Sequence, residues 1–350
     1  MSQVILESDR DQVASIQHPK SNESRLWDIV LGHFNYHMLL VAHDLGLFPL
    51  LAQKPQPLEE IAEALNLAHR ATQAMLTACG SMELVQVDRG YYRLTQLAQD
   101  YLLATSPTYF GGFLTMVAAN HQVNSYPSLQ KAILTNSSQV YANGKLFQSH
   151  EEQAALARAF TLAMHGHSMG AALAWTKLFD LSEHRVLLDI GGGSGAHAIA
   201  AVMNSPHLRA IVADLPPVCQ VADELIAGHH LQSRIATQPL DMWQDDFPQA
   251  DVHFYADIYH DWPPEKGEFL TRKSFESLAS GGRILLHEML LNDTKTGPLA
   301  VANYNTAMML WTEGQQYSRS ELVGMLEQAG FAAIQVIPNG YWSLITGRKR

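Results

Sequence analysis

Residues 186–200 read VLLDIGGGSGAHAIA. A continuous apolar run marks a strand buried on both faces, and the turn after it opens a helix. The glycines at 191, 192, 193 and 195 permit a tight turn and close backbone approach to a ligand, while the helix start offers unpaired NH groups. Gly191, Gly193 and Ala196 also satisfy the loose dinucleotide pattern GxGxxA, so the turn alone does not select its ligand. Its neighbours narrow the choice. Asp214 closes the next predicted strand, 25 positions after Asp189, where a carboxylate can accept from both hydroxyls of an adenosine ribose. Asp189 stands directly before the glycines, where it would repel a pyrophosphate but suit a cationic sulfonium. Asp241-Met242, after a further predicted turn, offers an acceptor and a soft apolar contact for adenine.

Downstream of Arg185, short apolar segments alternate with helical stretches: AIVADL (210–215), VHFYADI (252–258), RILLHEML (283–290) and AAIQVI (332–337), then SLITG (343–347). This pattern predicts an α/β fold with a mostly parallel sheet covered on both faces. Only Pro338-Asn339-Gly340 and a few neighbours separate the last two segments, which predicts a closing antiparallel hairpin. Upstream, residues 24–52 are apolar nearly all round a helical wheel, which predicts one helix buried in a subunit interface. Residues 57–103 then read as two helices and a hairpin turning at Asp88-Arg89-Gly90, a winged-helix pattern. The second of these helices, about His69 to Met82, offers only Arg70 as a fixed cation, so dimerisation rather than DNA reading is expected. Residues 106–180 read as helices interrupted at Asn136-Ser137-Ser138 and Asn143-Gly144, forming a substrate wall. The expected domains are 1–105, a winged-helix-like dimerisation unit, and 106–350, the α/β unit with 106–180 as helical linker.

The 350 residues are 47% hydrophobic and 16% charged, enough to order a core, and the net charge of −11 argues against a nucleic-acid partner. Cys79 and Cys219 make neither a disulfide framework nor a metal knuckle. The start, MSQVILESDRDQ, lacks the apolar core of a secretory leader, and Ala154 to Trp175 is interrupted by Arg158, His165 and His167. A soluble, cytoplasmic protein with no membrane partner is expected.

Taken together, DIGGGSG, ADLP, LDMW, YHDWP, GGRILLHE and the closing hairpin resemble the S-adenosylmethionine-dependent O-methyltransferases of the plant caffeate and bacterial polyketide type. The resemblance covers most of the chain, including the N-terminal domain. It implies a Rossmann-like methyltransferase sheet, a homodimer built through the winged-helix domain, a place in secondary metabolism, and S-adenosyl-L-methionine as cofactor. The implied cofactor residues are Asp189, Gly191, Gly193, Asp214, Asp241 and Met242, with Ser168 near the methionine carboxylate and Asp257 as a further contact. His260 is implied as general base and Glu288 as the acid that orients it. A phenol (pKa about 10) and imidazole (about 6.5) differ by about 3.5 units, roughly 5 kcal/mol, so the proton should leave as the methyl moves. Relatives carry a second acid in a GGxERT segment. Here Gln316 stands at that position, in Glu313-Gly314-Gln315-Gln316-Tyr317-Ser318, so either Gln316 or Glu313 is expected beside His260.

Some relatives methylate carbon in α-keto acids with a metal held by the His-Asp pair, here His260 and Asp261, and by a later histidine. Ala302 to Ser318 contains no histidine, so no metal is assigned and carbon methylation is the alternative reading. His287-Glu288-Met289-Leu290-Leu291 is not a zinc HExxH motif, and His287 should face packing on the other side of its strand. His33 and His37, four apart with no carboxylate at helical spacing, are expected in a buried wall. Met116, Met164, Asn305 and Met308, with Phe113, His121, Tyr126, Tyr304 and Trp311 nearby in type, suit an adaptable pocket for a flat aromatic or polyketide-like hydroxylated metabolite.

Overall fold

The computed structural model describes residues 18–140 and 154–350; MSQVILESDRDQ and Asn143-Gly144 lie outside them. The N-terminal part comprises α1 (Ser24–Asp44), α2 (Leu47–Gln53), β1 (Gln56–Pro57), α3 (Leu58–Ala64), α4 (His69–Ser81), β2 (Val85–Asp88), β3 (Tyr91–Leu94) and α5 (Gln96–Tyr101). Gly46, at φ 76°, breaks the expected single helix into α1 and α2, because a left-handed residue cannot continue an α-helix. The small sheet runs β1-β3-β2. Asp88 pairs with Tyr91, so the hairpin turns on Arg89-Gly90 alone, both at positive φ. Leu40, Phe48, Ile61, Leu76, Cys79 and Leu94 close this unit's core. The outer face of α1, expected in a subunit interface, leaves Leu26, Trp27, Ile29, Val30 and Phe34 exposed on the single chain. His33 and His37 are exposed with them rather than walled in.

Three helices follow, α6 (Gly111–Ala119), α7 (Tyr126–Thr135) and α8 (Ala154–Trp175). Ser125 caps α7 by accepting from the Ser128 NH, and Asn136 ends it in the left-handed region. The remainder alternates: β4 (Val186–Ile190), α9 (Ala196–Asn204), β5 (Arg209–Asp214), α10 (Pro216–Gly228), β6 (Ile235–Pro239), β7 (Val252–Ala256), α11 (Pro264–Ser277), β8 (Arg283–Met289), α12 (Leu299–Trp311), α13 (Arg319–Ala329), β9 (Ala332–Asn339) and β10 (Trp342–Arg348). A short 3-10 turn, Tyr259–Asp261, lies between β7 and α11.

The seven strands are ordered β6-β5-β4-β7-β8-β10-β9, parallel except that β10 is inserted antiparallel between β8 and β9. The sequence pattern missed β6, whose residues IATQP bury only Ile235, as a sheet edge requires little apolar cover. Leu187 and Leu188 point into different cores, one with Trp175, Ile199 and Phe254, the other with Tyr255, Tyr259 and Leu322, so both faces are covered. Because β4 pairs with β5 on one side and β7 on the other, successive connections diverge there and leave a crevice beyond the strand ends. No described helix is long and apolar enough to cross a membrane.

Candidate active site

The glycine turn occupies that crevice. Gly191 donates its NH to Ala213 O at 2.8 Å, which binds the turn to the end of β5. Gly191, Gly193 and Gly195 all have positive φ, and a Cβ on Gly193 would meet nothing within 4 Å. Asp214 stitches this turn to its strand: Oδ2 accepts from the Gly193 NH at 2.8 Å and Oδ1 from the Leu215 NH at 2.7 Å. Burial pushes the Asp214 carboxyl up to about 6 and that of Asp189 to about 7. Asp189 is buried with Oδ2 lacking any hydrogen-bond partner. A buried carboxylate oxygen left unpaired beside an open backbone cradle fits a ligand that carries positive charge and hydrogen-bond donors.

His165 Nδ1 lies 3.0 Å from Ser194 Oγ, tying α8 to the glycine turn and placing half-buried Ser168 one helical turn further on. Asp241 is engaged locally, its carboxylate accepting from the Trp243 NH and from Gln244 Nε2, each at 2.8 Å. Met242 beside it is partly buried against the core.

His260 sits in the 3-10 turn just beyond β7 and is 3% exposed. Its Nδ1 is 2.8 Å from Glu288 Oε2, while Glu288 Oε1 accepts from the Ile258 and Tyr259 NH groups at 3.1 and 2.8 Å. With its carboxylate held by two backbone donors, Glu288 selects the tautomer that carries the proton on Nδ1 and leaves Nε2 as the acceptor. Nε2 lies 3.5 Å from Asp261 Oδ1, and the Tyr304 ring packs edge-on at 5.4 Å. Burial pulls the imidazole pKa down, but the charge and hydrogen bond of Glu288, with Asp261 and Asp257, outweigh it and raise the pKa to about 10.

Asp257, expected at the cofactor, lies between two imidazoles: Oδ2 is 3.4 Å from His167 Nε2 and Oδ1 is 3.7 Å from His260 Nδ1. The residues expected to supply a second partner for His260 do not. Both amide atoms of Gln316 are buried without hydrogen bonds, its backbone NH being given to Asn305 Oδ1 at 2.7 Å, and Glu313 is exposed. The physical reason is that the Gln316 backbone is tied to α12 through Asn305, and the Nδ1 proton of His260 is already given to Glu288. Met308 is buried, and Met116, Met164 and Asn305 are partly buried on α6, α8 and α12. His287 is fully buried and stacks on Trp342 at 5.0 Å.

Sequence reading passed over His167, in MHGHS, although it adjoins Ser168; α8 carries it to the crevice, ringed by Phe113 and Trp342 at 5.0 and 5.5 Å. Asp257, His260 and Glu288 also present donor atoms within 4.8 Å of one another. The short His260–Glu288 bond already occupies one pair of those donors, so this set is a hydrogen-bonded acid–base group.

A family profile described as the O-methyltransferase domain matches residues 126–332, and one described as the O-methyltransferase dimerisation domain matches residues 27–104. The 3-hydroxy-5-methyl-1-naphthoate 3-O-methyltransferase of Streptomyces sahachiroi is 31% identical, over 89% of this chain and 90% of its own. The L-tyrosine C(3)-methyltransferase of Streptomyces lavendulae is 29% identical, over 89% of this chain and 87% of its own. Human N-acetylserotonin methyltransferase, solved in complex with SAM, superposes with a TM-score of 0.80 at 26% identity, covering 95% of this chain and 99% of that one.

Proposed function

The chain belongs to the O-methyltransferase family, and on that premise we propose that it transfers a methyl group to a hydroxyl of a small aromatic or polyketide-like metabolite, with His260 as general base. The protein is an S-adenosylmethionine-dependent methyltransferase. Bound at the glycine turn, that cofactor supplies an electrophilic methyl group on a cationic sulfur. Asp189 offers the unpaired anionic oxygen that suits this charge, and Gly191 and Gly193 open the backbone to it. Asp214, Asp241 and Met242 take the adenosine, and Ser168 the methionine carboxylate. In this reading residues 1–105 are the dimerisation unit and residues 106–350 the catalytic unit, the first forming a homodimer through the open face of α1.

His260 Nε2 accepts the hydroxyl proton as the oxygen gains the methyl group, and Glu288 stabilises the resulting imidazolium. The gap of about 3.5 units between free imidazole and a phenol closes once the site raises His260 to about 10, which makes the proton transfer nearly balanced. The same shift leaves little neutral imidazole at pH 7, so the rate should climb with pH through neutrality towards about 10. Met116, Met164, Asn305 and Met308 form the acceptor wall in this reading.

The observation that carries the proposal is the 2.8 Å bond from Glu288 to a buried His260 at the edge where the sheet diverges. Phenol, catechol, polyketide and α-keto acid acceptors should be offered with labelled methyl donor, and the products fragmented to separate oxygen from carbon methylation. His260→Ala should lose roughly 10²–10⁴-fold in kcat with cofactor affinity retained. Full activity in that variant overturns the general-base role.

A further inference from the structure

We propose that Asp257 is a positioning residue for the reaction, a second carboxylate set beside the Nδ1 edge of His260 with His167 against its other oxygen. The proposal rests on the reading of His260 as general base. It is carried by where Asp257 lies and by what its conformation costs. Asp257 adopts φ 56°, in the left-handed region, although it is not glycine. Such a backbone is strained for a residue with a Cβ and persists only where surrounding structure demands it. The Asp257 NH is given to His287 O at 3.2 Å, which fixes the peptide at the end of β7 and turns the side chain back under His260.

That side chain is buried, and Oδ1 has no hydrogen-bond donor of its own. A carboxylate oxygen buried without a bonded donor is costly unless groups able to carry positive charge or to donate lie beside it. Two imidazoles flank it, His260 Nδ1 at 3.7 Å from Oδ1 and His167 Nε2 at 3.4 Å from Oδ2. His167 has little freedom to leave: Phe113, Trp342 and Tyr304 pack round its ring at centroid distances of 5.0, 5.5 and 6.4 Å. The groups His167, Asp257, His260 and Glu288 therefore stand in sequence from α8, across the ends of β7 and β8, to the base, the first two steps being charge contacts at 3.4 and 3.7 Å and the last a hydrogen bond at 2.8 Å. Glu288 grips Nδ1 directly, and Asp257 adds negative charge on the same edge of the ring, so that Nε2 is the nitrogen left to face a substrate.

Other ionisable groups act on this pair. Asp261 lies in the same segment, Glu288 and His287 come from β8, His197 from α9 and Tyr304 from α12. All of them remain when Asp257 alone is changed, so a difference between variants isolates its carboxylate.

The test uses the full-length enzyme with the best acceptor found, and compares pH–rate profiles of wild type, Asp257→Asn, Asp257→Gly and His167→Asn. Asp257→Asn keeps the shape and removes the charge. Its rising limb should move to lower pH by about one unit, and its high-pH kcat should fall about tenfold, with KM for the methyl donor within twofold. Asp257→Gly suits the positive φ, so it should unfold no earlier than wild type while showing the same kinetic change; that outcome separates positioning from a folding defect. His167→Asn should lower the high-pH kcat in the same way by less, since it loosens only the support of Asp257. An unmoved limb with kcat within twofold in both Asp257 variants overturns the proposal. So does a raised KM for the methyl donor with the limb unmoved, which would assign Asp257 to the cofactor. His260→Ala serves as the reference: if it alone retains activity, the general-base reading has failed, whereas its inactivation beside normal Asp257 variants defeats only this inference.

Discussion

Asp189 is a buried acid with one oxygen unpaired and its carboxyl pushed up to about 7, so without a ligand it is half protonated near neutral pH. A cationic ligand favours the ionised form, and binding below pH 7 must therefore release a proton. Affinity for S-adenosylmethionine should fall roughly tenfold for each pH unit below about 7 and level off above it. Calorimetric titration between pH 5.5 and 8 checks this, and Asp189→Asn should bind weakly with little pH dependence. A wild-type affinity flat across that range would remove the carboxylate from the cationic contact. At this scale the sequence was partly legible. Asp189 and Asp214 each adjoin a local signal, a glycine turn or a strand end, whereas the roles of His260 and Glu288 are implied by the resemblance that YHDWP and GGRILLHE carry. The pairing of Asp257 with His167 was not legible, since 90 positions separate them and no local pattern links an acid after one strand to a histidine in a distant helix.

Among the elements, the glycine turn between β4 and α9 offers the sharpest contrast of neighbours. Gly191 has φ 66° and a Cβ there would lie 2.4 Å from Ile258 Cδ1, whereas Gly193 has φ 55° and open space. Alanine at either position pays roughly 1–2 kcal/mol for the left-handed backbone. Gly191→Ala must in addition displace Ile258, whose NH is bonded to Glu288. Thermal unfolding should therefore show Gly191→Ala to be the less stable variant, and its kcat should fall through the disturbed Glu288. Gly193→Ala should keep kcat at saturating cofactor and lose affinity, because its methyl group enters the cradle. Equal losses of stability and kcat would sink the distinction. Five of the seven large-sheet strands were readable as apolar runs bounded by turns, as was the closing hairpin's second strand. β6 was not, because it buries one side chain and lacks both alternation and a continuous apolar run. The break at Gly46 leaves no mark in the hydrophobic pattern, because apolar residues on both sides continue one helical wheel.

For the molecule as a whole, the open face of α1 presents Trp27 and Phe34, each 57% exposed, with Leu26 and Ile29 alongside. Burying each such side chain contributes roughly 1.5–3 kcal/mol, so a second copy seated there gains enough to hold a dimer. Sedimentation equilibrium should find a dimer for wild type and a monomer for the double variant Trp27→Glu, Phe34→Glu, with the isolated fold retained by circular dichroism. A dimer surviving both charges would place the interface elsewhere. The sequence by itself determined the α/β class and the glycine turn with its two flanking acids, because these depend on side-chain periodicity and on residues adjacent to turns. Tertiary structure alone decided that Gln316 and Glu313 leave His260 to Glu288, and that α8 delivers His167 to Asp257. The reason is that contacts between distant segments depend on how helices pack across the sheet edge, which no local pattern of residues encodes.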